Sequence, residues 1–413
     1  MRPRSSKLRL IYSLFSAVLL ATLGVSIHAS RQEPQGQQQR PRKVGTNQNT
    51  NNQPGSQQPA ASPTPGEEVD EGDVVRVETQ LVSVPAVVTD RSGRPLAGLR
   101  LDNFTLFEDG KPQRLTNFAT TETPFEIALL LDTSGSTRND LGLIRDAANA
   151  FIRALRAGDR VAIVAFKNMN REKGPPVASV DLLSPLTDNR EVLQVAIQDL
   201  GTSNGTPFYD GLGRVADEVF REPPRREMRG RRAVVALTDG VDSSSNTDFN
   251  AARAALARAD LASYFIQVST EDYVEDRLLK DCEDDGRLTL SEKQLERFRR
   301  LFVPQLQKED YQDFCRLGQF ERMDISRRLY NLARQEMTEM ARGSGGKNFS
   351  AATLGDARAA FAQVANEIGT QYSLGYYPSN KTRDGRFRQI KVELRGVKDA
   401  NVRAREGYYA PKQ

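Results

Sequence analysis

Glu126-Ile127-Ala128-Leu129-Leu130-Leu131-Asp132-Thr133-Ser134-Gly135-Ser136 begins as an apolar run and ends as a string of small, oxygen-bearing residues. The run from Ile127 to Leu131 has no polar face, which predicts a strand buried on both sides, as found centrally in a parallel sheet covered by helices. It stops at Asp132. A helical pattern begins near Asp140, so Asp132, Ser134 and Ser136 fall on a loop at the carboxyl edge of the sheet. Ligands bind at that edge in open α/β folds.

A tight turn over Asp-Thr-Ser-Gly-Ser aims alternate side chains inward and gathers one carboxylate with two neutral hydroxyls. Such an oxygen set suits a hard, hydrated, magnesium-like cation. The same residues equally read as an aspartate capping the next helix, with serines making loop hydrogen bonds. Two distant segments bear on the choice. Thr206 lies in Gly205-Thr206-Pro207-Phe208-Tyr209-Asp210-Gly211-Leu212, a turn leading into a helix. Asp239 follows a second buried apolar run, Ala233-Val234-Val235-Ala236-Leu237, in Thr238-Asp239-Gly240.

A DxSxS strand end, a downstream loop threonine and a later TDG strand end together resemble the metal-ion-dependent adhesion site of a von Willebrand factor type A domain. The wider pattern, roughly residues 74–409, is similar to VWFA-related acidobacterial proteins, with short β segments flanking the A domain. The resemblance implies a fold and a ligand set. The fold is α/β, a doubly wound and mostly parallel sheet. Ser134, Ser136 and Thr206 are its direct oxygen ligands, and Asp132 and Asp239 act directly or through water. The ion is Mg2+, or else Mn2+ or Ca2+.

The rest of the chain arranges itself around this unit. Residues 122–370 alternate β and α patterns: a helix over 140–156, strands over 160–166 and 177–182, helices over 189–200 and 209–220, a strand over 261–268, then a short strand at 346–349 and a helix over 354–368. Residues 73–121 and 371–413 carry strand patterns with turns at Asp90-Arg91-Ser92-Gly93 and Asp109-Gly110, and too few strands at either end for a core of their own. They are expected to combine into one β-sandwich with the A domain inserted between them. Arg225, Arg226, Arg229, Arg231 and Arg232 read as a solvated basic loop entering the sheet at its amino edge.

Residues 1–30 place four basic residues before an uncharged, largely apolar run and finish on small side chains, the pattern of a secretory signal peptide or an uncleaved membrane anchor. Residues 31–72 are rich in Gln, Asn, Pro, Ser and Gly, and read as a disordered linker. The folded part is thus expected to be exported: periplasmic, cell-surface or secreted. Its contact with a membrane would come only through an uncleaved anchor.

Composition excludes several functions. The 58 basic residues exceed the 54 acidic ones by four, so no global field points to nucleic acid. The single histidine, His28, lies in the signal, so the rest of the chain holds no Ser-His-Asp or Cys-His nucleophile and no His-ligated zinc.

Residues 270–325 are more than a minimal A domain needs and read as a polar, mostly helical insertion. Within it, Asp281, Glu283, Asp285, Arg287, Thr289 and Glu292 fall at EF-hand loop positions 1, 3, 5, 7, 9 and 12, with Gly286 at the bend. They predict a calcium loop between helices over 273–280 and 291–302, an acidic helix-turn-helix being the alternative. Cys282 and Cys315, the only cysteines, are expected to pair in an oxidising compartment.

The function expected from these residues is that of a non-enzymatic adhesion or assembly module. Its cation keeps an outward-facing coordination position for an acidic side chain of a protein partner. The competing expectations are a phosphoryl-transfer enzyme with Asp132 as nucleophile and an A domain that serves only as a structural spacer.

Overall fold

β5 (Glu126–Leu131) runs through the middle of a six-stranded sheet, as its unbroken apolar sequence requires. The computed structural model describes residues 81–120, 123–135, 140–174, 176–222, 230–278 and 290–412. On one side of β5 stand β8 (Arg232–Thr238), β9 (Ala262–Val268) and β10 (Lys347–Ala351). On the other stand β6 (Arg160–Met169) and β7 (Val177–Thr187). All neighbours are parallel except β7, which runs antiparallel to β6 at the edge.

Alternate residues of β5 feed two separate cores. Ile127, Leu129 and Leu131 pack with α1 (Leu141–Ala154), α2 (Arg190–Gln198) and α8 (Ala357–Thr370). Ala128 and Leu130 pack with α3 (Phe208–Arg214), α4 (Phe249–Arg258) and the later turns of α7 (Gln319–Ser344). Each fully buried aliphatic side chain contributes about 2 kcal/mol, and helices on both faces are what make an uninterrupted apolar strand favourable.

The two ends of the chain interleave. β1 (Val82–Asp90) and β4 (Leu115–Ala119) pair with β11 (Tyr372–Tyr376) and β13 (Ala400–Ala404) in the order β13-β1-β11-β4. β2 (Phe104–Glu108) and β3 (Lys111–Gln113) join β12 (Phe387–Leu394) and β14 (Gly407–Tyr409) in the order β14-β12-β2-β3. Val84, Leu106, Tyr372, Leu374 and Ile390 share one core between these antiparallel sheets. The α/β unit enters after β4 and leaves into β11.

The basic loop differs from its expected solvated state. Arg225, Arg226 and Arg229 lie outside the described residues, but Arg231 and Arg232 are buried. Arg231 donates to the carbonyls of Thr123 and Gln371, bridging the two points where the chain passes between sandwich and α/β unit, and stacks over Phe125 at 4.4 Å. Arg232 pairs with Glu126 at 2.8 Å, and Arg160 holds the other carboxylate oxygen at 2.8 Å. The parallel register sets Glu126 opposite both arginines, so three charges stand at the amino ends of adjacent strands.

The insertion contains α5 (Glu271–Leu278) and α6 (Glu292–Phe302), which pack Leu278, Leu295 and Phe298 against Ile325 and Leu329 in the first turns of α7. Ser291 caps α6, accepting from Gln294 N at 3.2 Å, while the Gln294 side chain accepts from Ser291 N at 2.9 Å. The candidate calcium ligands Asp281, Glu283, Asp285, Arg287 and Thr289 lie outside the described residues, as do Cys282, the signal segment 1–30 and the linker 31–72. Glu292 is the first residue of α6, and Cys315 sits in the short turn Phe314–Arg316. Among the described residues, no helix is long and apolar enough to cross a membrane.

Candidate metal site

Asp132 and Asp239 directly follow the neighbouring parallel strands β5 and β8, so the sheet itself brings two carboxylates together. Asp132 Oδ1 accepts from Ser134 N at 2.9 Å and Oδ2 from Thr238 Oγ1 at 2.6 Å. Asp239 Oδ1 accepts from Val241 N at 3.0 Å and Oδ2 from Thr270 Oγ1 at 2.7 Å. Gly240 turns the chain after Asp239 with φ +76°, a left-handed conformation that favours glycine.

Thr206 arrives from the loop ahead of α3. Its amide donates to Ser243 Oγ at 2.8 Å, and its carbonyl accepts from Ser243 N at 3.0 Å, which ties this loop to the one after β8. Ser134, Thr206 and Asp239 line a single cavity of about 90 Å³, and Asp132 stands behind Ser134. Ser136, the remaining expected ligand, lies outside the described residues.

The expected ligands among the described residues are enclosed. Asp132, Ser134, Thr206 and Asp239 are exposed by only 1 %, 2 %, 6 % and 3 %. The facing wall of the cavity is built by the insertion, through Val274, Leu290 and Gln294, and by α7, through Ser326, Leu329 and Tyr330. Its docking is polar and specific. Ser291 Oγ donates to the Ser243 carbonyl at 2.7 Å, and Lys293 Nζ donates to the carbonyls of Ser244 and Ser245 at 2.8 and 2.9 Å. Tyr330 OH lies 2.7 Å from Thr270 Oγ1; because Thr270 gives its proton to Asp239, the phenol is the donor of that pair.

Burial first, and then the adjacent Asp239 carboxylate, push the Asp132 carboxyl up to about 7. Burial and Asp239 likewise hold the Tyr330 phenol well above its ordinary range, so it remains a proton donor.

Residues 127–241 match the family model of the von Willebrand factor type A domain, a span that starts in β5 and ends two residues past Asp239. The chain carries a von Willebrand factor type A domain. A domains are in general protein-interaction modules, and this one belongs to that broad class. Solved structures similar to the chain include a von Willebrand factor type A protein from Catenulispora acidiphila, at 12% identity over 82% of this chain and 75% of that one, with a TM-score of 0.38. They also include the SpRpn10 VWA domain, at 14% identity over 57% of this chain and 93% of that one, with a TM-score of 0.33. Proximal thread matrix protein 1 from the mussel byssus matches at 14% identity over 60% of this chain with a TM-score of 0.35, and the chain spans about half of its length, 49%. Likenesses this slight carry no argument about function. No curated protein matches the chain.

The A domain's donor set fits a hard cation. Among the described residues no three His, Cys, Asp or Glu side chains gather, so the set consists of two carboxylates and neutral hydroxyls, the mixture that a hydrated magnesium-like ion accepts. The Asp239 carboxylate raises the proton affinity of buried Asp132, a repulsion that a divalent charge beside the two would relieve. Sequence reading missed Ser243, Thr270, Ser291, Ser326 and Tyr330. The TDG motif pointed to Asp239, whereas Thr270 lies 31 residues later and Tyr330 60 residues beyond that, with no local pattern to mark either.

Proposed function

We propose that the chain is an exported, non-enzymatic protein-binding module. Its A domain holds Mg2+, or else Mn2+ or Ca2+, on Ser134, Ser136 and Thr206, with Asp132 and Asp239 orienting and balancing them, and captures an acidic side chain of a protein partner through the ion. The observation that carries this reading is the convergence of Ser134, Thr206 and Asp239 on one cavity, with Asp132 directly behind. Since the insertion and α7 together form the facing wall, the partner reaches the ion only when that wall moves aside, and capture is therefore gated. Asp132 serves poorly as a phosphoryl-transfer nucleophile because it is 1 % exposed and both of its oxygens are held by Ser134 and Thr238.

Affinity capture from envelope extract by the full chain, with and without chelator, tests this. Capture of a partner that is lost in chelator and lost in Asp132→Ala, while the variant keeps its fold by circular dichroism, supports the reading. Capture that is the same in Asp132→Ala sinks it. Two further proposals concern the insertion: Ca2+ bound by Asp281, Glu283, Asp285, the Arg287 carbonyl, Thr289 and Glu292, and a bridge between Cys282 and Cys315. Calorimetry of Glu292→Gln and non-reducing peptide mapping test them separately.

A further inference from the structure

Ser326 lies in the second turn of α7, on the face it shares with Leu329 and Tyr330, and all three line the cavity above Ser134, Thr206 and Asp239. It is 2 % exposed, and its Oγ has no hydrogen-bond partner. A helical serine commonly returns its hydroxyl to the carbonyl one turn back. Ser326 does not. A buried hydroxyl without a partner is unfavourable, and an alanine would fill the same helical position at no such cost. Tyr330, one turn further along, has already committed its hydroxyl to Thr270. Ser326 is thus a polar group on α7 that lines the cavity with its hydrogen-bonding capacity unspent.

The opposite wall explains what it faces. Asp239, Ser134 and Thr206 crowd oxygen atoms onto one side, and the cavity between, about 90 Å³, has room for a cation together with part of its water. Magnesium-like ions give up water reluctantly and keep several molecules in their shell. Water on a divalent cation is a strengthened donor and seeks an acceptor.

We infer that Ser326 is a positioning residue of the cation site: its hydroxyl accepts from a water of the ion's shell, so that α7 contributes in cis to that shell. This rests on the cation reading proposed above. The same hydroxyl holds in place a shell water that a partner's carboxylate must displace.

Manganese titration of the full chain, followed by electron paramagnetic resonance, and thermal melting with Mn2+ or with chelator test the inference in wild type, Ser326→Ala and Asp132→Ala. Wild type is expected to bind Mn2+ and Asp132→Ala to lose it. Ser326→Ala is expected to bind about tenfold more weakly, the lower end of what outer-shell groups carry in metal sites. In chelator, Ser326→Ala should melt at the wild-type temperature or above, because the hydroxyl it loses has no partner there, whereas its gain on adding Mn2+ should be smaller. Wild-type affinity in Ser326→Ala overturns the inference and leaves the cation reading standing. An equal loss of melting temperature with and without Mn2+ marks a packing role and also overturns it. Failure of wild type to bind Mn2+ removes both.

Discussion

Arg297 in α6 grips Glu336 in α7 through both carboxylate oxygens, at 2.6 and 2.7 Å. Tyr209 closes the ring, donating to Glu336 at 2.6 Å and accepting from Arg297 at 2.7 Å. Because Tyr209 follows Thr206 by three residues, the ring links the insertion to the ligand loop. Glu336→Gln leaves a guanidinium largely buried without its counter-charge, which costs about 3 kcal/mol. The expected outcome is a lower melting temperature together with faster stripping of Mn2+ by chelator, since the wall over the cavity loosens. A variant with wild-type stripping kinetics would show that this ring does not hold the insertion in place.

Without metal, Asp132 should make stability fall as pH rises. Its carboxyl is raised to about 7 in the folded chain from an ordinary 3.8, so between these values the folded state keeps a proton that the unfolded state has lost. Stability then declines with rising pH across that window and levels off above it. Burial raises Asp242 in the same direction. Asp132→Asn isolates the effect: in chelator, its melting temperature should match wild type near pH 3, below the ordinary carboxyl value, and exceed it increasingly up to about pH 7. A gap that stays constant with pH would contradict this.

How much of this could be read from the chain depended on how local the cause was. Ile127 to Leu131 announces a doubly covered strand because its composition leaves no face for water, and Asp132 and Asp239 are marked by the abrupt end of such runs. The insertion's helices were also legible, the expected spans 273–280 and 291–302 falling close to α5 and α6. Its place was not, because docking rests on Ser291 meeting Ser243, 48 residues away, and on Tyr330 meeting Thr270. Arg232 was misread because a run of arginines is usually solvated, and its partner Glu126 lies 106 residues away in sequence. A charged residue opening a wholly apolar central strand was the available clue: Glu126 needs a buried cation, and only a neighbouring strand can supply one in register.

Glu126→Ala follows from that register. It leaves Arg232 buried with its carboxylate gone and frees Arg160 as well, a loss of about 3 to 5 kcal/mol. Urea unfolding should show it as a lower midpoint. Mn2+ affinity should survive in the folded fraction, because Glu126 opens β5 at the end opposite Asp132. A change under about 1 kcal/mol would mean that the triad is solvated in the manner of surface pairs.

Gly240 offers a test of how rigidly the aspartates are held. Its φ is +76°, and an added Cβ would come within 2.4 Å of Met337 Cε and 2.8 Å of its Sδ, in a side chain that is fully buried. Gly240→Ala therefore carries a backbone cost of about 1 kcal/mol for the left-handed conformation and a second cost for moving Met337. The shift falls on Thr238 and Asp239, which flank the turn, and through Thr238 Oγ1 on Asp132. Weaker Mn2+ binding and a lower unfolding midpoint are expected together. The two costs separate in a double-mutant cycle, since in a Met337→Ala background only the backbone part of Gly240→Ala should remain. Equal destabilisation by Gly240→Ala in both backgrounds would place the whole effect in the backbone, and unchanged Mn2+ affinity would show that the aspartates tolerate a displaced turn.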